Sequence, residues 1–394
     1  MRLLLHCQHA LGLGHLARSL ALADGLRHQF EVTLLNGGRF PAGTVVPEGV
    51  RVVNLDPLGH DADYSLVSHD PELTVDQAMA RRRAAVLAEL DRVDPHVLLV
   101  EMFPFGRKKF RFELEPLLEA AHAPGPRGRP RVVCSLRDIL VNQRRDQAGH
   151  DERAAQLANR WFDLVLVHAD PAFATLEESF RPTTPLHAPV RYTGFVTAAD
   201  GSPVPAGPTL DRLLVSAGGG MAGGPLLRRA AEAAPAVARR TGLGTTVVAG
   251  PFLPDGDRAR LRAVAAGQPA LTVVDQVPDL AAEIARSAVS LSQCGYNTTM
   301  DLLRARRPAL VVPYAEGRED EQRRRADSLA RLGVVRTVAQ DDLTVSRLVT
   351  EVTTLAGASP ASIPFDLNGR HRSAALVVEL CAANPRTSPA GAPR

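Results

Sequence analysis

The chain has 394 residues, too many for one ordinary hydrophobic core, so two domains are expected. With 45% hydrophobic residues, 23% charged residues and a formal net charge of +3, the composition is that of a soluble globular protein and gives no argument for nucleic-acid binding. Cys7, Cys134, Cys294 and Cys381 lie far apart without the paired spacing of a zinc site, so no metal is expected and isolated thiols in a reduced cytoplasmic protein are the simplest reading. The opening apolar run is too short for a secretion signal, and no stretch approaches the roughly 20 apolar residues that span a bilayer.

Taken in chain order, strand patterns at 3–7, 31–35, 50–55, 97–100, 131–135, 164–167 and 191–193 alternate with helical patterns, notably at 16–27, 75–93 and 151–161. A Pro-, Gly- and Ser-rich stretch at 200–209 reads as a linker. Beyond it the alternation restarts, with strands at 212–216, 245–249, 271–274, 289–292 and 309–312. Helices are expected at 225–241, 257–266, 280–287, 298–306 and 319–332, and a last one at 371–383. Strand–helix alternation predicts parallel sheets covered on both faces. The fold class expected is α/β, with two Rossmann-like domains facing across a cleft. The domains are 1–199 and 210–365, and a disordered tail follows at 385–394.

Candidate sites sit where strands run into turns. After the first strand, Gly12 and Gly14 allow a tight turn and His15 falls at a helix start, where the helix dipole keeps an imidazole neutral, as a general base must be. The same pattern fits a plain β–α turn with a solvated cap. Gly218, Gly219 and Gly220 follow the strand at 212–216 and would let backbone N–H groups approach a diphosphate, though a flexible loop fits too. Gln276 and Val277 follow a strand on a loop that either meets a base edge or caps the next helix through Asp279. Cys294, Gly295, Asn297 and Thr298 open a helix, where N–H groups favour an anion, and Asp301 lies one turn on from Asn297. Glu321 and Gln322 enter a helix as candidates for sugar hydroxyls or as a solvated helix start. The segment 101–112 interleaves aromatic and basic residues, among them Phe103 and Arg107. That suits a lipid surface, an anionic acceptor or ordinary packing. Glu101 and Asp138 are further candidate bases.

Gln293-Cys294-Gly295-Tyr296-Asn297-Thr298-Thr299-Met300-Asp301 resembles the His-Cys-Gly-Trp-Asn-Ser-Thr-Leu-Glu donor motif of nucleotide-sugar glycosyltransferases with the GT-B fold. The region 205–340 is similar to the C-terminal domain of the peptidoglycan lipid-intermediate N-acetylglucosaminyltransferase family, and the Gly12–His15 turn resembles the first loop of those enzymes. The resemblance implies inverting, metal-independent transfer of a sugar from a UDP- or dTDP-sugar to a small-molecule or lipid-linked acceptor. The nucleotide sugar is a substrate, so no cofactor is expected.

By position, Asn297 and Thr298 would meet the diphosphate and Asp301 the ribose. Gln322, with Glu321, would hold the donor sugar. His15 would be the base, or Glu101 if the acceptor lies elsewhere. A crossover helix at 366–384 would return to the first domain. Weak peripheral membrane contact is compatible with this family, and the oligomeric state is left open.

Two departures stand out: Gln293 replaces the usual His, and the 313–322 segment is longer than in plant-type enzymes. The first loop, with Gly14, His15 and Arg18, also resembles a UDP-sugar hydrolase of the pseudaminic-acid pathway. Hydrolysis, or binding of a sugar nucleotide without turnover, are the alternatives.

Overall fold

A computed structural model describes residues 1–9, 14–40, 44–61, 65–123, 128–141, 144–197, 201–205, 207–314, 320–359 and 362–383. The chain divides into two compact units. The first is Met1–Leu140, Arg145–Asp200 and Asn368–Arg394; the second is Val141–Arg144 and Gly201–Leu367.

In the first unit, β1 (Arg2–Cys7) is followed by α1 (Gly14–Leu26), β2 (Glu31–Asn36), β3 (Arg51–Asn54), β4 (Leu58–His60) and β5 (Leu66–Ser68). Then come α2 (Val75–Val93), β6 (Val97–Glu101), α3 (Arg111–His122), β7 (Arg131–Arg137), α4 (Gln147–Trp161), β8 (Leu164–His168) and β9 (Val190–Tyr192). β1 and β6 are buried along nearly their whole length, as near-continuous apolar runs inside a parallel sheet should be. Among the described residues the sheet runs β3-β2-β1-β6-β7-β8-β9, every pair parallel, while β4 and β5 form a separate antiparallel hairpin. The chain moves outward from β1 to β3 and then returns to β6 on the other side. The carboxyl ends of β1 and β6 therefore form a topological switch point, the place where open α/β sheets bind ligands.

The helix at α3 was not among the expected elements. Pro116 lies inside it, and the aromatic and basic residues before it obscure the helical period. A buried ion pair fixes it. Arg82 of α2 donates to Glu113 Oε2 from Nε (2.7 Å) and to Oε1 from Nη2 (2.6 Å), and its Nη1 donates to the Gly37 carbonyl (2.6 Å). His6 Nε2 stands 3.1 Å from Glu113 Oε1. The pair thereby joins α2, α3 and the β1–β2 strand ends. The last helix (Gly369–Ala382) belongs to this first unit. Ala374, Leu376 and Val377 enter the α1 core, and Arg370 Nη1 donates to Asp24 Oδ2 at 2.5 Å. Gly25 is needed at the crossing, because a Cβ there would stand 2.8 Å from the Arg370 carbonyl oxygen.

The second unit comprises β10 (Leu210–Ser216), α5 (Gly224–Thr241), β11 (Gly244–Val248), α6 (Asp255–Ala266), β12 (Leu271–Val274) and α7 (Leu280–Ala285), followed by β13 (Ser287–Ser292), α8 (Tyr296–Ala305), β14 (Ala309–Val311), α9 (Glu321–Arg331), β15 (Arg336–Thr337) and α10 (Val345–Ala356). Its parallel order, β12-β11-β10-β13-β14-β15, puts a second switch point between β10 and β13. Leu213, Val215, Val289 and Leu291 face Leu227, Ala230 and Ala234 of α5 and Leu348 and Val352 of α10 in one core.

Neither β15 nor α10 was expected. The strand is two residues long, and α10 is set by the Thr344 cap on the Arg347 N–H and by the spacing of Leu348, Val352 and Leu355. The Pro-rich stretch expected as a linker is tied to α8. The Val204 N–H donates to the Arg304 carbonyl (3.0 Å), and Arg307 Nη2 donates to Thr209 Oγ1 (2.8 Å).

Candidate functional site

At the first switch point, α1 brings His15 to the end of β6, where Glu101 is the last residue. His15 Nδ1 lies 2.5 Å from Glu101 Oε1. Arg18, one turn along α1, donates to the same oxygen, and Arg107 Nη2 lies 3.4 Å from Oε2. Glu101 is 1% exposed and the His15 side chain 18%. Burial by itself raises the Glu101 pKa, but His15, Arg107 and Arg18 together bring it below the usual carboxylate range. Burial first, and the Arg107 charge second, lower the His15 pKa to about 3, so the ring is neutral. The positive end of α1 acts in the same direction. An ionised carboxylate has no proton to give, so Nδ1 carries the ring hydrogen and Nε2 keeps its lone pair. Glu101 is thus joined to His15 and two arginines and does not stand apart as a separate base.

The loop from Glu101 to α3 is strained at both ends, with Met102 at φ 65° and Arg107 at φ 60°. Non-glycine residues hold that conformation only where their surroundings impose it. Of the readings open for this segment, ordinary packing accounts for the rings. Phe103 is 1% exposed, and Phe105 is buried edge-on against Phe180 at 4.8 Å between ring centroids. Hydrophobic burial takes the rings inward and leaves Lys108, Lys109 and Arg111 outside. Asp138 is buried as well, just beyond the end of β7. Gly14 opens α1, and Gly12 lies outside the described residues. Further along the strand ends, Ser135 Oγ and His168 Nε2 are 2.7 Å apart, and His168 Nδ1 is 3.0 Å from Thr193 Oγ1. All three are buried and brace the sheet edge.

At the second switch point the chemistry is that of backbone groups. Gly218 at φ 58° and Gly220 at φ 90° turn the chain after β10, and a Cβ on Gly220 would collide with the Ala249 carbonyl. A Cβ on Gly218 would stand 3.3 Å from Thr298 Oγ1, a measure of how closely this turn approaches the first turn of α8. Gly219 packs beside the Phe252 ring. Gln293 Nε2 donates to the Ala222 carbonyl at 3.0 Å, so the residue that departs from the usual His ties this loop to the end of β13. Ser216 and Ser292 pair in register beneath it, and their buried hydroxyls have no partner among the described residues.

Gln322, at the start of α9, accepts at Oε1 from the N–H groups of Cys294 (3.0 Å) and Tyr314 (3.2 Å). Its acceptor oxygen is committed to backbone, which leaves the amide donors as its means of meeting a ligand. Glu321 precedes it in the same first turn. Arg325, fully buried one turn further on, donates to the Cys294 carbonyl at 2.8 Å and lies over the Tyr296 ring at 5.9 Å.

Gly295 stands at the N-cap of α8, and Asn297 and Asp301 share a partly exposed face of that helix. Burial raises the Asp301 pKa to about 7, with Arg304 pulling it down and Asp279 pushing it up. Gln276 and Val277 sit in the turn before Asp279, whose carboxylate caps α7 through the Ala282 N–H (3.0 Å). Arg325 was not singled out from sequence, and Arg18 entered only through the first-loop resemblance. Each stands three residues after a candidate, His15 and Gln322, and that helical spacing is the signal that would have found them.

Residues 251–366 match the model of the glycosyltransferase family 28 C-terminal domain. A UDP-N-acetylglucosamine–N-acetylmuramyl-(pentapeptide) pyrophosphoryl-undecaprenol N-acetylglucosamine transferase of Sorangium cellulosum (strain So ce56) is 34% identical over 86 residues. That match takes in 22% of this chain, and the chain spans 21% of the length of that relative. Over nearly the whole chain the fold is that of two solved structures. Acinetobacter baumannii MurG has a TM-score of 0.57 at 17% identity, covering 96% of this chain and 100% of that one. The glycosyltransferase VinC in complex with dTDP has a TM-score of 0.57 at 17% identity, covering 98% and 96%. The chain therefore has the GT-B fold of these glycosyltransferases, and residues 251–366 of its second unit are similar to the glycosyltransferase family 28 C-terminal domain.

Proposed function

We propose that the protein is an inverting, metal-independent glycosyltransferase that moves a sugar from a UDP- or dTDP-sugar to an acceptor hydroxyl. The second unit takes the donor, and the first carries the base and the acceptor. The observation that carries this reading is the His15–Glu101 pair. A neutral ring is oriented by a buried carboxylate through Nδ1, with Nε2 left to receive a proton. As the acceptor oxygen bonds to the anomeric carbon, its proton passes to Nε2 and the bond to the diphosphate breaks. Glu101 offsets the imidazolium charge that then forms. One displacement inverts the anomeric centre, and a positioned base of this kind contributes roughly 10²- to 10⁴-fold.

On the donor side, the N–H groups of the 218–220 turn and of the α8 start, with Asn297 and Thr298, receive the diphosphate. They stabilise the charge it gains on leaving. Asp301 takes the ribose hydroxyls, and Glu321 and the Gln322 amide hold the sugar. The relative's printed name supports a UDP-linked donor and a lipid-linked acceptor, and the VinC complex supports dTDP. A lipid-linked acceptor would bring weak peripheral membrane contact. No described helix is long and apolar enough to cross a membrane.

The test is a panel of UDP- and dTDP-sugars offered with and without a mixture of candidate acceptors, read by mass spectrometry. Acceptor-dependent consumption of one donor is expected. Fast stoichiometric release of free sugar without acceptor would replace transfer by hydrolysis, and tight binding with no turnover would replace it by sensing.

A further inference from the structure

Arg107 is not accounted for by the His15–Glu101 pair. Glu101 Oε1 takes both His15 and Arg18, which leaves Arg107 to act on the carboxylate mainly through its charge. What Arg107 makes with Oε2 is a single long contact of 3.4 Å from Nη2. Its Nε is buried and has no partner among the described residues, although the side chain as a whole is only 17% exposed. A buried N–H without a partner costs about 1–3 kcal/mol, and a planar guanidinium fork with a spare edge is the group that takes a carboxylate or phosphate bidentately. The backbone holds the fork there at a cost, since Arg107 sits at φ 60°.

The surrounding charges agree. Arg107 acts electrostatically on His9, His15 and His60, and Lys109 acts with it on His60. All three rings have pKa values lowered mainly by burial, so they add no positive charge of their own. Arg18, Arg107 and Lys109 face the carboxylates Glu101 and, beside His60, Asp61, which leaves positive charge in excess.

We propose that Arg107 seats an anionic group of the acceptor, a carboxylate or a phosphate close to the hydroxyl that reacts. This rests on the transfer reading above and adds to it the class of acceptor. It also resolves a difficulty in that reading. His15 in the empty protein is a poor base, partly because of the Arg107 charge beside it. An anion on Arg107 cancels that charge, so the correct acceptor makes His15 basic as it binds, and a neutral acceptor does not.

The experiment uses the full chain labelled with ring-¹⁵N histidine, the His15 resonances being assigned through His15→Gln. At fixed ionic strength it is titrated with inorganic phosphate, with acetate and with uncharged acetamide. At about pH 7 either anion is expected to shift the His15 Nε2 resonance saturably, and acetamide is expected not to. The stronger of the two arms identifies the group as phosphate or carboxylate. Arg107→Gln is expected to weaken the response at least tenfold, Arg107→Lys to keep part of it, and Arg153→Gln, on the exposed face of α4, to leave it intact. No saturable response in the wild-type chain, or an equal one in Arg107→Gln, overturns the proposal. If Arg107→Gln fails to fold, the wild-type arms and Arg107→Lys still decide. No donor or turnover enters the measurement. The anion seat therefore stands if sugar transfer is not found, and transfer stands if the anion response is absent.

Discussion

The two switch points share a topology and differ in the kind of charge they use. In the first unit the switch point is built from side chains, with Glu101 at the end of β6 held by His15, Arg18 and Arg107. In the second, β10 and β13 end on backbone: a glycine turn with left-handed residues, a helix start, and Gln322 and Arg325 clamping Cys294 through its N–H and its carbonyl. In the proposed transfer a proton moves in the first and none in the second. Titratable groups suit the one, and fixed dipoles that need no reorganisation suit the other. Asp301 is the exception on the donor side, and its raised pKa marks it as the group there that responds to pH.

Five substitutions test that division. His15→Ala should lower kcat roughly 10²- to 10⁴-fold while leaving nucleotide affinity unchanged by calorimetry. Near-normal turnover would move the proton chemistry elsewhere. Glu101→Gln keeps the shape and removes the charge that orients the ring. A loss of about 10- to 100-fold in kcat is expected, again without change in nucleotide affinity. If donor binding falls instead, the two sites are not chemically separate.

Asp301→Asn should weaken nucleotide binding by about tenfold, the effect of one charged hydrogen bond. In the wild-type chain that affinity should rise as pH increases through about 7, as Asp301 ionises. The stability effect has the opposite sign. A carboxyl whose folded pKa stands above its unfolded value costs the empty protein nothing at low pH and progressively more as pH rises towards 7. Asp301→Asn is therefore expected to stabilise the empty protein by about 1 kcal/mol at about pH 8, discounted for its partial exposure. A lower melting temperature than wild type would contradict the burial argument.

The last effect is on stability alone and is expected from Gly220→Ala, whose Cβ meets the Ala249 carbonyl. Stability should fall by about 2 kcal/mol in chemical denaturation. Gly218→Ala, whose Cβ meets only Thr298 Oγ1, should fall by less. Equal losses would mean that the turn is loose enough to yield at either position.

The contrast also decides what was legible. A backbone site is local. Gly218 to Gly220 and Cys294 to Asp301 are short runs following apolar strands, and α2 was bounded from its period as Val75–Val93. The side-chain site is assembled from positions far apart in the chain, and no local pattern announces that Glu101 lies against His15. The 101–112 segment stayed open because alternating aromatic and basic residues suit a surface as well as a packed strand end. Burial of Phe103, Phe105 and Phe110 is a tertiary outcome. α10 and β15 were missed because one depends on a cap and a modest apolar stripe and the other on pairing with β14 alone.

By itself the sequence determined the α/β alternation, the glycine-dependent turn after β10 and the helix start that follows β13. Each of these is imposed by local backbone sterics and by period. Only the tertiary structure decided that Glu101 serves His15, that Gln322 spends its oxygen on the chain's own N–H groups, and that Arg107 keeps an unpartnered edge. Those are matters of distance and burial between residues far apart in the sequence, and sheet order and packing set both.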